Sequence, residues 1–261
     1  MHIIERIAET YAWYQGYGNE VEEEPLATYV RNPEHSDIWV ANHISRVRAQ
    51  HLDEIERVLA RTEAALAHCS HRMVIVDPFT PQEFVARLAL EDYRELTPLV
   101  QMVLDGPLTR AGANVELRPV VNEADWEALF RLARADHVEG KRTHHLELDE
   151  SITRGMVAGY RAKSAVQQFF LALDHGEPCA YGSAVVGPCG IGVVEDLYTS
   201  PSHRRRGIAT ALIHQAVVHA REHDMSSILI GTHVSEEPKR LYAALGFRPT
   251  CMIRYYLKDV L

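Results

Sequence analysis

The apolar positions of the second half of the chain alternate between the two-residue period of strands and the 3.6-residue period of helices. This pattern predicts a strand, two helices, three strands, a helix, a strand, a short helix and a closing strand. The predicted elements are 114–120, 123–136, a weaker helix after Asp149, 168–173, 179–186, 192–199, 207–223, 227–232, 239–245 and 252–257. A mixed sheet with helices on its faces accommodates this order.

The first half of the chain carries fewer marked elements. Its pattern predicts a strand, a long helix, a strand, a short helix and a strand, which is also the order in which the second half ends. The predicted ranges are 38–47, 52–67, 73–76, 81–90 and 99–104. The run L-D-G-P at 104–107 and the small residues at 111–113 are interpreted as a linker.

The two halves share a constant spacing between equivalent apolar landmarks. Three pairs lie 153 positions apart: Leu59 with Leu212 (212 − 59), Ile75 with Ile228 (228 − 75), and Leu104 with Leu257 (257 − 104). A gap-free match of this kind favours internal duplication over coincidence among common α/β elements. We therefore predict two domains, residues 1–112 and residues 113–261.

Composition narrows the class of protein further. A chain of 261 residues can bury the cores of two modest domains, and its formal net charge of −9 argues against a nucleic-acid-binding protein. There is no apolar stretch of membrane-spanning length and no signal-peptide layout, so the expected location is the cytoplasm, without a membrane partner. The absence of C-x-x-C and H-E-x-x-H patterns predicts no metal site.

Candidate chemistry concentrates in residues 195–211, which run from the end of a predicted strand through a loop into a helix N-terminus. Such a terminus presents unpaired N–H groups and the positive end of the helix dipole. Gly207 allows a phosphate to approach the backbone, and Ala209 keeps the next turn small. Arg204, Arg205 and Arg206 add positive charge that is unfavourable to the dipole unless a polyanion offsets it. The segment is therefore a candidate pyrophosphate site.

The same segment resembles the GNAT N-acetyltransferase superfamily. Arg204, Gly207 and Ala209 match the signature [QR]-x-x-G-x-[GA], and L-Y-T-S-P at 197–201 is similar to the strand and loop before it. K-R-L-Y-A-A-L-G-F at 239–247 resembles the later L-Y-x-x-x-G-F helix of the family. The resemblance covers about 113–261. It implies a tandem GNAT-like fold of the α/β class. The implied sheet is central, mixed (α+β) and mostly antiparallel, and helices flank it.

The resemblance also implies an activity and a set of binding residues. The expected reaction transfers an acyl group from acetyl-CoA to a primary amine by direct attack in a ternary complex. The residues implied to hold CoA are Leu197, Tyr198, Thr199, Arg204, Arg205, Arg206, Gly207, Ile208, Ala209, Thr210 and Ser235. Tyr242 is implied to protonate the leaving thiolate. Ser235 and Pro238 stand where the family often carries Asn and Ala, so this chain lacks the Asn side chain that usually helps hold the CoA arm.

An amine acceptor must lose a proton before it attacks, and a carboxylate is the usual base. Glu195 is the candidate because it lies on the strand that splays toward the acceptor. Asp196 is its competitor, since neighbours on a strand face opposite ways and only one can point inward. An acceptor side without a dedicated base is the remaining alternative. The acceptor is expected to be a small-molecule or peptide amine. The net negative charge of the protein weakly favours a cationic acceptor. A non-catalytic acyl-CoA sensor is the alternative function, and a nucleic-acid-binding Arg cluster is a further rival that the net charge disfavours.

The first half lacks the residues of the candidate anion site. The 153-residue offset sets three carboxylates opposite Arg206, Gly207 and Ala209, namely Asp53, Glu54 and Glu56. Because carboxylates repel a phosphate, this half is expected to be a degenerate GNAT-like domain without a CoA site. Its role is left open between completing the sheet, shaping the acceptor cleft and forming a homodimer face. Its aromatic cluster, Tyr11, Trp13, Tyr14 and Tyr17, either covers the acceptor site or belongs to the core.

Overall fold

The computed structural model describes residues 1–144 and 148–260, and of residues 141–144 the backbone alone. The chain forms two compact units, each assembled from separate segments. The first contains Met1–Gln101, Thr232–Lys239 and Pro249–Leu261, and the second contains Met102–Gly231 and Arg240–Arg248.

The secondary structure of the described residues comprises seven α-helices and twelve strands, together with four short 3-10 turns. In chain order they are α1 (Ile3–Gly16), β1 (Glu20–Glu23), β2 (Thr28–Arg31), β3 (His43–Ser45), α2 (Leu52–Ala65), β4 (His71–Val76), α3 (Gln82–Leu90), β5 (Arg94–Glu95), β6 (Leu99–Leu104), β7 (Glu116–Pro119), α4 (Glu123–His144), α5 (Glu150–Ala162), β8 (Gln167–Asp174), β9 (Glu177–Val186), β10 (Ile191–Thr199), α6 (Ile208–Glu222), β11 (Ser227–His233), α7 (Pro238–Ala244) and β12 (Arg248–Asp259).

The sheet of the first unit has the order β1-β2-β3-β4-β12, with β5 also paired to β12. All these pairs are antiparallel except β3 and β4, which run parallel with Ile44 opposite Val74. One face packs on a core that includes Phe84 of α3, which is completely buried. Tyr11 of α1 and Leu257 belong to a second cluster in the same unit.

The second unit contains the strand order β11-β10-β9-β8-β7, and the end of β6 lies next to β11. Its pairs are antiparallel except β10 and β11, which are parallel. Neighbouring residues of β8 show the two faces. Phe169 packs against Trp126 of α4 and Tyr160 of α5, whereas Phe170 meets His219 of α6. The helices α4 and α5 therefore cover one face of this sheet, and α6 covers the other.

The ten elements predicted for the second half are confirmed in type and order. α4 runs beyond its predicted end at Asp136, and α5 begins after Asp149, whose side chain accepts a hydrogen bond from the Ser151 N–H and caps the helix. The described helices of the chain include none with the length and hydropathy that a membrane crossing requires.

The strand predicted for 38–47 is wrong. A 3-10 turn at Trp39–Ala41 precedes the three-residue strand β3. The cause is Asn42, which is fully buried and uses its side chain on the backbone. Its Oδ1 accepts from the N–H of Asn32 at 2.8 Å, and its Nδ2 donates to carbonyls of the preceding turn. Such side-chain bonds compete with a strand ladder. The sequence pattern also missed α1, β1, β2 and β5.

The duplicated pattern has a structural counterpart. Both β3-α2-β4 and β10-α6-β11 are a strand, a helix and a parallel strand. In each unit the first strand has a residue that pairs with the parallel strand, and the residue two positions later is a non-glycine residue with positive φ. Arg46 (φ 51°) follows Ile44, and Asp196 (φ 54°) follows Val194. This shared local geometry agrees with a repeated unit.

The compact units cut across the two predicted domains. β12 lies in the first unit, paired with β4, whereas Met102–Leu104 lie in the second unit beside β11. The boundary between 1–112 and 113–261 describes a repeat along the chain, whereas the compact units group residues by proximity. That boundary therefore stays a prediction.

Candidate functional site

β10 separates from β11 in the middle of the second unit. The two strands pair only from Ile191 to Val194, although β10 continues to Thr199. On its other side β10 pairs with β9, where Glu195 faces Ser183 and Tyr198 faces Tyr181. Three steps along β10 (198 − 195) thus match two along β9 (183 − 181), which is a β-bulge of one residue. The edge of β10 from 195 to 199 borders the resulting opening.

The bulge brings Glu195 and Asp196 to the same face of the sheet, the face covered by α4 and α5. Asp196 has φ 54°, and its two carboxylate oxygens accept hydrogen bonds from Tyr160 Oη and Gln167 Nε2, each at 2.9 Å. Lys163, which caps the C-terminus of α5, interacts electrostatically with both carboxylates. The expectation that only one of the two acids can point inward is therefore wrong, because strand alternation fails at a bulge.

The proton affinity of Glu195 suits a base. Burial of its carboxyl group, followed by the charge of Asp196, raises its pKa to about 8, against the opposing effects of Lys163 and the Asp196 N–H. Burial also lowers the pKa of Lys163, although the two carboxylates oppose that change. A general base works best when its pKa lies near the operating pH.

The N-terminus of α6 lies immediately after this strand and its loop. Gly207 is the N-cap with φ 79°, and the helix begins at Ile208. The N–H of Ala211 donates to the carbonyl of Gly207, so the first turn presents the N–H groups of Ile208, Ala209 and Thr210 without intrahelical acceptors. Only a residue that tolerates the left-handed region fits at position 207.

The arginines of this loop are largely engaged by the protein. Arg204 forms a bidentate ion pair with Glu139 at 2.8 and 2.6 Å, and Arg206 contacts Asp174 at 3.0 and 3.3 Å. Arg205 is exposed and has no ion pair with any residue whose side chain the structure describes. The expectation that a polyanion must offset the charge of all three arginines is therefore wrong. Two carboxylates already do so, and the case for an anion site rests on the backbone.

Gly112 and Ala113 pass close to the N-terminus of α6. The N–H of Ala113 donates to the carbonyl of Gly207 at 3.4 Å. A Cβ atom at Gly112 would lie 2.4 Å from the Ala211 Cα, a distance that no side chain can accept. This close approach gives Gly112, predicted only as part of a linker, a packing role.

Three candidate CoA-binding residues of β10 differ in their surroundings. Leu197 covers Gly182, where an added Cβ atom would lie 2.6 Å from the Leu197 side chain. Tyr198 is buried with its ring 5.9 Å from that of Tyr181. Thr199 is half-buried, and its carbonyl accepts from Arg204 Nε at 2.9 Å.

Tyr242 and Ser235 are placed differently. Tyr242 is 6% exposed on α7, in the same compact unit as Glu195, with its ring 6.3 Å from that of Phe247. Ser235 is exposed in the turn after β11 and belongs to the first unit. Ser235 is thus the one member of the predicted binding set outside the second unit.

The corresponding helix of the first half begins with a carboxylate. Glu54 Oε2 accepts from the N–H groups of Gln50 (2.9 Å) and His51 (3.1 Å), and these bonds lower its pKa. The helix N-caps are His51 and Gly207, which lie 156 positions apart (207 − 51), so the 153-residue offset is wrong here and Gly207 corresponds to His51 rather than to Glu54. A carboxylate held at a helix start occupies the place where an anion would bind.

The aromatic cluster of α1 contributes to the core. Tyr11 and Tyr14 are 4% and 5% exposed, and Tyr11 Oη is hydrogen-bonded to Tyr255 Oη. Trp13 and Tyr17 are half-buried and pack edge to face at 5.3 Å.

The sequence pattern did not indicate three residues of the candidate site, namely Tyr160, Lys163 and Gln167. The one signal that could have found them was Gln167, a polar residue at the start of an apolar strand, which is 2% exposed in the structure. A buried amide must find hydrogen-bond partners, and here they are Asp196 and Ser183. Among the residues whose side chains are described, no group of three or more His, Cys, Asp or Glu could hold a metal ion.

Comparison with known proteins identifies relatives of the second half. Residues 126–247 match the family model "Acetyltransferase (GNAT) family". A 71-residue stretch, 27% of this chain, is 31% identical to an aminoglycoside N(6')-acetyltransferase type 1 of Acinetobacter haemolyticus. That match spans 49% of the relative, so the chain covers about half the length of the curated protein it matches.

Solved structures extend the likeness to the whole chain. A GCN5-related N-acetyltransferase from Kribbella flavida is similar with a TM-score of 0.71 and 16% identity, over 99% of this chain and 96% of that one. A tandem GNAT protein from the clavulanic acid biosynthesis pathway is similar with a TM-score of 0.59 and 14% identity, over 81% and 71%. These likenesses show a shared fold. The likeness to the acetyltransferase (GNAT) family model is thus confined to residues 126–247 of this chain.

Proposed function

We propose that this protein transfers the acyl group of acetyl-CoA to a primary amine by direct attack in a ternary complex. The observation that carries the proposal is the opening of β10 from β11 directly before the glycine-capped N-terminus of α6. A strand edge and a helix N-terminus in sequence suit a long ligand with an amide-bearing arm and a pyrophosphate.

The binding roles follow from this geometry. The backbone N–H groups from Arg205 to Ala209 would hold the pyrophosphate, with the exposed Arg205 adding charge. The β10 edge at Leu197 and Thr199 would pair with the pantetheine arm as an added strand. The remaining proposed contacts of the CoA site in the second unit are Tyr198, Arg204 and Thr210. Arg204 and Arg206 would act chiefly by shaping the loop through their ion pairs.

The chemistry needs a base and an acid. Glu195 would take a proton from the acceptor ammonium, directly or through a water molecule. The free amine then attacks the thioester carbonyl, the C–N bond forms, the C–S bond breaks, and the nitrogen releases its second proton to water to give the amide. Tyr242 would donate a proton to the departing thiolate. Neither a covalent enzyme intermediate nor a metal is part of this scheme.

The acceptor would be a cationic amine. Glu195 and Asp196 share the face on which α4 and α5 lie, and the chain has a net charge of −9. An aminoglycoside amine belongs in the first panel of acceptors, because the matched relative is an aminoglycoside acetyltransferase. Domain 1–112 would be a degenerate partner without a CoA site, since Glu54 fills its helix start.

Calorimetry with acetyl-CoA tests the binding site. Gly207→Glu would strain the backbone at φ 79°, so a helical position is the better choice. Ala209→Glu adds a charge that the helix dipole tolerates but a pyrophosphate does not, and Ala209→Gln is its neutral match in size. We expect acetyl-CoA to bind at least about tenfold more weakly to the Glu variant than to the Gln variant.

A turnover assay distinguishes an acyltransferase from a non-catalytic acyl-CoA sensor. Release of free CoA in the presence of a panel of cationic amines is the expected result for the wild type. Acetyl-CoA binding without turnover on any amine would favour the non-catalytic sensor. A wild type that binds no acyl-CoA would contradict both.

A further inference from the structure

Asp196 is the best-anchored carboxylate of the candidate site. Its Oδ1 accepts a hydrogen bond from Tyr160 Oη, and its Oδ2 accepts one from Gln167 Nε2, both at 2.9 Å. The two donors come from different elements, α5 and β8, so the carboxylate joins the helix layer to the sheet.

The anchor continues into the backbone of β10. Gln167 Nε2 also donates to Ser183 Oγ at 2.8 Å, and Ser183 Oγ donates to the carbonyl of Glu195 at 3.1 Å. Gln167 and Ser183 are both buried, with 2% and 0% exposure. The residues on both sides of the bulge are therefore fixed through one connected set of hydrogen bonds.

We propose that Asp196 is a positioning residue, which stabilises the β10 bulge and so directs the Glu195 carboxylate toward the acceptor amine. This inference rests on the proposed function. Asp196 has positive φ, a conformation that asparagine and aspartate tolerate better than most residues. Both its oxygens already accept hydrogen bonds, which leaves the proton transfer to Glu195.

The charged groups around Glu195 act in opposite directions. Asp196 on β10 disfavours ionisation of Glu195, and Lys163 at the end of α5 favours it. Tyr160 of α5 donates a hydrogen bond to Asp196, and Tyr181 of β9 is affected by the charges of both Asp196 and Asp136 of α4. Removing Asp196 or Lys163 should therefore move the titration of Glu195 in opposite directions.

The test uses the full chain with four variants and two readouts. ¹³C NMR of protein labelled at the Glu carboxyl groups follows the titration of Glu195, assigned by its loss in Glu195→Gln. We expect Asp196→Asn to lower the midpoint by about one pH unit and Lys163→Gln to raise it. Tyr160→Phe keeps the Asp196 charge and removes one hydrogen bond, so its midpoint should stay close to wild type.

The kinetic readout separates positioning from charge. We expect kcat for the amine to fall about tenfold in both Asp196→Asn and Tyr160→Phe, because a misaligned base loses orientation. The Kd for acetyl-CoA should be unchanged in both. Wild-type kcat in these two variants, or a Glu195 titration that does not respond to Asp196→Asn, would overturn the positioning role alone. A wild type that binds no acetyl-CoA and acylates no amine would instead overturn the proposed function, and the positioning role with it.

Discussion

At the scale of single residues, the environment of Glu195 decides what it can do. An exposed glutamate would be ionised at neutral pH and would be a weak base. Burial and the neighbouring Asp196 raise its pKa to about 8, so it holds a proton more firmly and accepts one from an amine more readily. The cost is that only part of the protein has an ionised Glu195 at pH 7.

The pH dependence of activity follows from this pKa. We predict that kcat/KM for the amine rises with pH through a midpoint of about 8, because Glu195 must be deprotonated to act as base. The ordinary titration of the acceptor amine can produce a similar limb, so Glu195→Gln is the necessary comparison. It should lower kcat/KM by about a hundredfold and remove the limb. A limb that persists unchanged in Glu195→Gln would show that another group is responsible.

The free energy of unfolding should also depend on the ionisation of Glu195. Because its folded pKa lies above the ordinary value of 4.5, its contribution to stability is complete below pH 4.5 and is lost as pH rises through about 8. Glu195→Gln cannot ionise and escapes this loss. We therefore predict that the variant gains stability relative to wild type between pH 5 and pH 9, roughly the titration range. Denaturant unfolding at several pH values measures it, and a constant difference would contradict the assignment.

At the scale of elements, the helices α2 and α6 occupy equivalent places in the repeated pattern, but the groups at their N-termini differ. In α6 the glycine cap leaves the first-turn N–H groups available, whereas in α2 the Glu54 carboxylate bonds to the N–H groups of Gln50 and His51. A strand that leaves its parallel partner precedes α6, and the bulge there turns two acids to one face. Both differences depend on a few residues at the ends of elements rather than on their apolar faces.

The segment that crosses the start of α6 offers a test of packing at this scale. We predict that Gly112→Ala destabilises the protein by about 1–3 kcal/mol, because its Cβ would lie 2.4 Å from the backbone of Ala211. Gly106→Ala is the matched control, since nothing lies within 4 Å of a Cβ atom there. Thermal or denaturant unfolding compares the two. Equal stabilities would show that the α6 segment shifts without cost.

At the scale of the whole molecule, the two compact units are built from interleaved segments of the chain. β12 pairs with β4 over six consecutive residues, from Arg254 opposite Val76 to Asp259 opposite His71. The last strand of the second predicted domain thus completes the sheet of the first unit. Neither predicted domain contains all the strands of one compact unit.

This arrangement predicts the behaviour of fragments. A fragment of residues 113–261 should fail to fold cooperatively, because β12 would lose β4 and β11 would lose β6. Circular dichroism during thermal unfolding, compared with the full chain, measures this. A cooperative transition in the fragment alone would contradict it and would show that 113–261 is an autonomous domain.

The apolar pattern of the sequence predicted the order of elements in the second half correctly, because apolar periodicity reports local structure directly. The sequence also pointed to the α6 start and to Glu195, since glycine at a helix start and a carboxylate near a strand end have local meaning. The strand expected at 38–47 failed where the buried Asn42 side chain bonded to the backbone, a tertiary outcome that periodicity does not contain.

The contacts between charged groups and between strands depend on how the chain folds. The bulge in β10 is defined by the pairing of β10 with β9, which the sequence does not show. It places Glu195 and Asp196 on one face of the sheet, contrary to the expectation that they face opposite ways. The partners of Arg204 and Arg206 lie 65 and 32 positions away, and Lys163 reaches the acids from another element. Ion pairs and burial depend on distance in space, so the electrostatics of the site could be read only after the chain was folded.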